Sequence, residues 1–154
     1  MVRVYGYGPG AITFAGDFLK AFLGVLLGQL VAGEIGGYIA GFFVVIGHCW
    51  PVFDGFRGGK GVASSYSIAI FTFPLGALGA ILIGGLILLI NKKMSIMSLA
   101  AMLLFFVATL VFRFNDLPLV ILAGLLTIVV FVRHTENIKR LIHGEEQRLR
   151  KEGK

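Results

Sequence analysis

The longest apolar stretch, VASSYSIAIFTFPLGALGAILIGGLILLI at Val62–Ile90, decides how often the chain crosses a membrane. As one helix its 29 residues would be about 43 Å long, whereas a bilayer hydrocarbon core is about 30 Å thick. Pro74 lies near the middle of the stretch, and proline either kinks a helix or interrupts it. The stretch is therefore either one kinked span or two short spans joined by a tight turn.

The chain as a whole is too apolar for a soluble domain. Of its 154 residues, 57% are hydrophobic and 14% are charged, whereas ordinary soluble domains are about 25% charged. This composition excludes disorder, and a single cysteine, Cys49, excludes a disulfide scaffold. No linker, charge block or repeat divides residues 1–154, so we predict one membrane domain. Further apolar stretches cover Pro9–Gly33, Ile35–Phe53, Met94–Phe112 and Leu117–Val132.

The basic residues distinguish the two arrangements of Val62–Ile90. With a turn at Pro74, twelve Lys and Arg residues share one face, Arg113 lies on the other, and Lys20 lies inside a span. With one kinked span the division is nine against four. Cytoplasmic loops are enriched in Lys and Arg, which favours the turn. We therefore predict an all-α polytopic transmembrane helical bundle of about six spans, with both termini cytoplasmic. The twelve residues are Arg3, Arg57, Lys60, Lys92, Lys93, Arg133, Lys139, Arg140, Arg148, Arg150, Lys151 and Lys154.

The segment GHCWPVFDGFRGGKGVAS at Gly47–Ser64 has the features of an anion site. Gly58, Gly59 and Gly61 flank Lys60, and glycines let backbone N–H groups converge on an anion. The helix that follows adds the positive end of its dipole, and Arg57 and Lys60 add full charges. This pattern predicts binding of a phosphate or acyl phosphate at the membrane surface. The alternative is a flexible cytoplasmic loop whose charges obey the positive-inside rule.

A second polar motif, RHTENIKRLIHGEE at Arg133–Glu146, follows the last span. His134 and Asn137 are three residues apart, so they share a helical face, and Arg140 follows one turn later. The alternative is an interfacial helix with an apolar stripe, whose cations reach lipid head groups. That stripe would comprise Ile138, Leu141, Ile142 and Leu149. The H-x-E pattern at His134 has no P-C-x-x-C partner, so we predict no metal site.

Asp17 and Lys20 lie inside the first apolar stretch and are three residues apart, so they can pair on one helical face. Ionisable residues within a membrane are costly and usually functional, although a purely structural ion pair is the alternative. Small residues also recur every four positions in the first two stretches, at Gly24 and Gly28 and at Gly33, Gly37 and Gly41. We interpret these spacings as helix-packing surfaces.

Taken together, these motifs resemble those of the bacterial membrane glycerol-3-phosphate acyltransferases that use acyl phosphate as donor. That family has a G-H-x-F-P-x-x-x-x-F-x-G-G-K-G-V-A-T loop, matched here with Trp50 and Ser64 at the Phe and Thr positions. Its D-x-x-K-G element is matched by Asp17 and Lys20, with Ala21 in place of glycine. Its H-x-x-N-I-x-R-L-x-x-G-x-E motif is matched by His134, Asn137, Ile138, Arg140, Leu141, Gly144 and Glu146.

The family opens with a further span and a G-S-G-N-x-G-A-T-N-x-x-R motif. Only the end of that motif is matched, with Arg3 at its arginine position. The resemblance therefore implies seven spans in the family and a chain shortened at its N-terminus here.

The resemblance implies acyl transfer from acyl phosphate to the 1-hydroxyl of glycerol 3-phosphate at the cytoplasmic face of the bacterial cell membrane. The products would be 1-acylglycerol 3-phosphate (lysophosphatidic acid) and phosphate, without a cofactor, a metal or a nucleic-acid partner. The implied catalytic residues are His48, Lys60, His134 and Asn137, with His48 and His134 as candidate bases. The implied substrate-binding residues are Arg3, Asp17, Lys20, Arg57, Gly58, Gly59, Gly61, Arg140 and Glu146. The alternative is a non-catalytic or transporter-like membrane protein with a cationic face.

Overall fold

The computed structural model describes residues 7–148, and all regular secondary structure in that range is helical. Arg3 lies outside the described residues. The elements are α1 at Tyr7–Cys49, a 3-10 turn at Val52–Asp54, α2 at Val62–Thr72, α3 at Pro74–Asn91, α4 at Met94–Phe112, α5 at Leu117–Arg133 and α6 at Thr135–Ile142.

Helix α1 is a helical hairpin rather than one rod. Its turn contains Gly33, whose backbone (φ 68°, ψ −165°) lies in a region that is essentially restricted to glycine. A Cβ added at Gly24 would lie 2.5 Å from Val44 Cγ2, and one at Gly28 would lie 2.5 Å from Ala40 Cβ. These pairs place the two arms side by side and antiparallel. The two spans predicted on either side of the turn are therefore confirmed.

The α-helix of the second arm ends at Cys49, and the segment that qualifies as a span continues through the 3-10 turn to Asp54, close to the predicted end at Phe53. Pro51 has no N–H to donate and disfavours helical backbone at the residue before it, which explains the end of the α-helix. The interpretation of the small residues as packing surfaces is confirmed for Gly24, Gly28, Gly37 and Gly41, which contact the opposite arm. Gly33 instead forms the turn.

Replacing Gly28 with Val is expected to lower the free energy of unfolding by about 2 kcal/mol, because the new side chain would push the hairpin arms apart. Thermal unfolding in detergent would measure the loss. Gly85→Val in α3 is the matched control, since a Cβ there meets nothing within 4 Å. Equal melting temperatures for the two variants would contradict the close approach of the arms.

The Val62–Ile90 stretch forms two helices joined at Phe73, which has non-helical backbone angles (φ −145°, ψ 78°). The ring of Phe73 lies 5.8 Å from the guanidinium carbon of Arg113 at one end of the bundle. At the other end, Val62 and Met94 line a common cavity, and Met94 follows shortly after the end of α3. Both ends of the stretch therefore lie at the same end of the bundle, and Pro74 marks a turn rather than a kink.

The chain thus passes six times between the two ends of the bundle, although fewer segments qualify as membrane spans than the six that were predicted. By length and composition, three helical segments qualify as membrane spans: Gly8–Asp54, which contains the hairpin, Pro74–Asn91 and Met94–Phe112. Leu117–Arg133 and Thr135–Ile142, bent by 62°, qualify together as a fourth. Helix α2 has 11 residues, about 16 Å, so this pass is shorter than a membrane span.

Small and aliphatic side chains fill the centre of the bundle, among them Ala21, Val25, Ile68 and Met102, each no more than 1% exposed. Large apolar side chains also cover the outside, which a soluble protein would not tolerate as a continuous surface. This outer surface suits hydrocarbon and supports the prediction of a membrane bundle.

Candidate functional site

A cavity of about 840 Å³ opens at the end of the bundle where α1, α2 and α4 begin. Most of the catalytic and substrate-binding residues implied by the resemblance line it. They are Asp17, His48, Arg57, Gly58, Gly59, Lys60, Gly61, His134, Asn137, Arg140 and Glu146. Lys20 contacts Asp17 and His48 of this set, and Arg3 lies outside the described residues. The fold therefore brings both motifs to one cavity.

The two motifs touch each other through Lys60 and Asn137. Lys60 Nζ donates a hydrogen bond to Asn137 Oδ1 at 2.5 Å, across 77 positions of sequence. Asn137 Nδ2 in turn donates to Glu146 Oε1 at 2.8 Å, which fixes the orientation of the Asn137 amide. Asn137 is buried, so this amide is a fixed link between the loop before α2 and helix α6.

Glu146 orders the end of the second motif. Its Oε1 also accepts from Ser95 Oγ at 2.6 Å, and its Oε2 accepts from Arg140 Nε at 3.0 Å. Burial by itself raises the pKa of Glu146, but the hydrogen bonds from Ser95, Asn137 and Arg140 and the Arg140 charge outweigh it and lower the pKa to about 2. The carboxylate is therefore ionised at neutral pH, and both of its oxygens are engaged within the protein.

Because its pKa is lowered from 4.5 to about 2, ionised Glu146 is expected to stabilise the fold by about 3 kcal/mol at pH 7. The contribution is present above the unfolded pKa and is lost as the pH falls through the folded pKa. The measurement is the difference in free energy of unfolding between wild type and Glu146→Gln in detergent. We expect this difference at pH 3 to be less than half of that at pH 7; a pH-independent difference would contradict the ionised network.

His134 is held as a neutral imidazole with a defined tautomer. Its Nδ1 lies 2.8 Å from the carbonyl oxygen of Val130, which only accepts, so Nδ1 carries the proton. Burial lowers the pKa of His134, although the same hydrogen bond opposes the shift. The neutral form is therefore favoured at pH 7, and Nε2 keeps a lone pair that can accept a proton.

Asp17, Lys20 and His48 form a second polar cluster at the edge of the cavity. Lys20 Nζ lies 2.6 Å from Asp17 Oδ1, so the predicted pairing within α1 is confirmed. The same Nζ lies 2.8 Å from His48 Nδ1, and His48 Nδ1 lies 3.2 Å from Asp17 Oδ1. The cluster joins the two arms of the hairpin and fixes the His48 ring.

The loop formed by Gly58, Gly59, Lys60 and Gly61, here called the glycine loop, packs against His48 more closely than its sequence indicates. Gly59 N–H donates to the His48 carbonyl oxygen at 3.1 Å, so this N–H does not point at an anion as expected. A Cβ at Gly59 would overlap Nε2 of the His48 ring, and one at Gly61 would lie 2.9 Å from Cys49 Sγ. These glycines therefore permit close packing of the loop on the end of α1.

Arg133 holds the other side of this loop and was missed in the sequence analysis, where it counted only as a cytoplasmic charge. Its Nη2 donates to Gly58 O at 2.7 Å and its Nε to Gly59 O at 3.0 Å. Its guanidinium carbon also lies 5.2 Å from the centre of the Trp50 ring. The planar guanidinium thus binds two neighbouring loop carbonyls at once and holds the loop against α5. The only signal in the sequence is its position directly before His134.

The buried side of the second motif is its polar side. His134, Asn137 and Glu146 are buried, whereas Ile142 is 76% exposed. The motif therefore faces the cavity, which contradicts an interpretation of this segment as only an interfacial helix. Among residues 7–148, no three His, Cys, Asp or Glu side chains are arranged to hold a metal ion.

This arrangement of motifs has counterparts in known proteins. A family model described as glycerol-3-phosphate acyltransferase matches residues 1–144. The chain belongs to the glycerol-3-phosphate acyltransferase family. Among the members of this family, the acyltransferase of Alkaliphilus metalliredigens is 38% identical over 149 residues, which cover 97% of this chain and 75% of the relative. That of Geobacillus kaustophilus is 37% identical over 152 residues, which cover 99% of this chain and 77% of the relative.

Two crystal structures of PlsY (YgiH), an integral membrane glycerol 3-phosphate acyltransferase, share this fold. The glycerol 3-phosphate form superposes with a TM-score of 0.90 at 32% identity, over 97% of this chain and 75% of that chain. The lysophosphatidic acid form has a TM-score of 0.89 at the same identity, over 97% and 76%. The family membership and the apolar helices identify the chain as a membrane protein with acyltransferase relatives.

Proposed function

We propose that this protein transfers a fatty acyl group from acyl phosphate to the 1-hydroxyl of glycerol 3-phosphate. The products are 1-acylglycerol 3-phosphate and inorganic phosphate. This reaction is the first acylation step in phospholipid synthesis. The observation that carries the proposal is the Lys60–Asn137 contact, because it joins both family motifs in one cavity at the end of a membrane bundle.

The charges in the cavity suit two anionic substrates. Lys60, Arg57 and Arg140 line it, and both substrates carry phosphate groups that these cations would attract. We assign the phosphate of the acyl donor to Lys60 and Arg57, on the loop formed by Gly58, Gly59 and Gly61. We assign glycerol 3-phosphate to Asn137, Arg140 and His134, which line the same cavity. The resemblance adds Arg3 to these residues.

The reaction requires positioning and charge stabilisation more than a covalent intermediate, because acyl phosphate already has a good leaving group. The 1-hydroxyl oxygen forms a bond to the acyl carbon, and the bond between that carbon and the phosphate oxygen breaks with its electron pair on phosphate. The hydroxyl proton goes to a base. We prefer His134 over His48 for this role, because His134 keeps a free Nε2 lone pair in its fixed tautomer. His48 Nδ1 is engaged by Lys20 and Asp17, and its ring packs on Gly59.

We assign this reaction to the cytoplasmic face of the bacterial cell membrane. Twelve of the Lys and Arg residues lie on the cavity side of the predicted topology, which the positive-inside rule assigns to the cytoplasm. The fatty chain of the donor lies in lipid or between helices, while its phosphate reaches the cavity.

Product formation by the purified protein tests the proposal. The protein in lipid nanodiscs is supplied with acyl phosphate and radiolabelled glycerol 3-phosphate, and labelled 1-acylglycerol 3-phosphate and released phosphate are quantified. We expect equal amounts of the two products, and none when acyl phosphate is omitted. Uptake of the label into proteoliposomes without any acylated product would instead support a transporter.

A further inference from the structure

Ser95, in the first turn of α4, lies outside every motif but touches the end of the second one. Its Oγ donates to Glu146 Oε1 at 2.6 Å across 51 positions of sequence. The two residues are only 4% and 7% exposed, so this bond is largely shielded from water. A hydrogen bond from a hydroxyl to a buried carboxylate is among the stronger polar contacts in proteins.

The other two donors to Glu146 come from its own part of the chain. Asn137 and Arg140 both lie on α6, and the Glu146 N–H donates to the Arg140 carbonyl oxygen at 3.1 Å. These contacts join α6 to the segment that follows it, but they do not fix that unit against the rest of the bundle. The Ser95 bond ties it to α4.

The hydrogen bonds that begin at Ser95 continue through Glu146 to the Lys60 ammonium group in the cavity. Glu146 Oε1 accepts both from Ser95 and from Asn137 Nδ2, and this second bond leaves Asn137 Oδ1 facing Lys60 Nζ. A shift of the carboxylate would therefore rotate or displace the Asn137 amide. The chain of contacts runs from Ser95 through Glu146 and Asn137 to Lys60.

We infer that Ser95 is a positioning residue for the proposed acyl transfer: it fixes Glu146, which in turn holds the Asn137 amide in place at Lys60. The inference rests on the proposed function, because its effect is measured as turnover. Ser95 lines the cavity, but neither substrate is assigned to it, and its role is exerted through Glu146.

Ser95→Ala is expected to raise the KM for glycerol 3-phosphate about tenfold, because Asn137 loses its fixed orientation; tenfold corresponds to about 1.4 kcal/mol. The KM for acyl phosphate should stay within about twofold of wild type, because Arg133 holds the loop that carries Lys60 at Gly58 and Gly59, independently of Asn137. A general loss of folding would not separate the two KM values.

A double-mutant cycle with Glu146→Gln tests whether Ser95 acts through Glu146. We expect Ser95→Ala to have little further effect on the KM for glycerol 3-phosphate once Glu146 is replaced. Ser67→Ala is the matched control, because Ser67 is equally buried and donates to the Phe18 carbonyl oxygen, away from the cavity lining. That variant should keep both wild-type KM values.

Three results would overturn the inference. They are a wild-type KM for glycerol 3-phosphate in Ser95→Ala, equal increases in both KM values, and full additivity of Ser95→Ala with Glu146→Gln. In each of these the wild-type protein makes product, so the proposed function stands. Wild-type protein that makes no acylated product would refute the proposed function and this inference together.

Discussion

Replacing Lys60 with Met is expected to lower kcat/KM by about 10³-fold, the effect of removing a main electrostatic donor from an active site. The Lys60 ammonium group donates to Asn137 Oδ1 and lines the cavity beside Arg57, so it is placed to stabilise negative charge on the phosphate of the donor. Methionine keeps much of the side-chain length but has no charge. The measurement is initial-rate kinetics of 1-acylglycerol 3-phosphate formation in nanodiscs.

Lys139→Met is the matched control for this prediction. Lys139 is 62% exposed, pairs with Glu136 on α6 and does not line the cavity. The Lys139→Met substitution removes the same charge at the same end of the bundle. Comparing the two variants therefore separates a local effect of Lys60 from the general attraction of anions. Similar losses in the two variants would contradict the assignment of Lys60 to the phosphate.

Replacing Gly59 with Ala is expected to lower kcat/KM by about 10²-fold, because a displacement of about 1 Å at a catalytic group has effects of that size. The added Cβ would overlap the His48 ring, and the ring cannot retreat freely because its Nδ1 is held by Lys20 and Asp17. The loop must then move, and Lys60 moves with it. The same product assay measures the loss, and thermal unfolding checks that the bundle is intact.

Gly85→Ala provides the comparison for this variant, since a Cβ at Gly85 meets nothing within 4 Å. We expect it to retain wild-type activity and to gain slight helix stability. Full activity in Gly59→Ala would mean that the loop does not need its close approach to His48.

The topology could be predicted because membrane-spanning segments must be apolar and the cytoplasmic loops between them are enriched in Lys and Arg. The length of Val62–Ile90, the proline at position 74 and the division of the cations together specified a turn, and the Phe73–Arg113 contact lies at that turn. The end of the α-helix inside the second span could not be predicted from apolarity. Apolarity continues through Phe53, whereas the helix stops at Cys49 because of backbone chemistry at Pro51.

The main residues of the site could also be predicted, because short motifs hold them at fixed spacing. His134 and Asn137 share a helical face, and Lys60 follows its glycines directly. The contacts of Arg133 and Ser95 could not be predicted in the same way. Arg133 bonds the loop across 74 and 75 positions, and Ser95 reaches Glu146 across 51, so only the packing of the helices brings these groups together.

The position of Glu146 late in the sequence has a consequence for when, during synthesis, the candidate site is complete. Chains insert into the membrane from the N-terminus during translation, and Glu146 follows all six passes of the bundle. The glycine loop and its lysine are synthesised early, but their partner Asn137 lacks the Glu146 hydrogen bond until the segment after α6 has been synthesised. A nascent chain halted before that point would occupy the membrane without a finished cavity, so the site is complete only once the segment that carries Glu146 has been made.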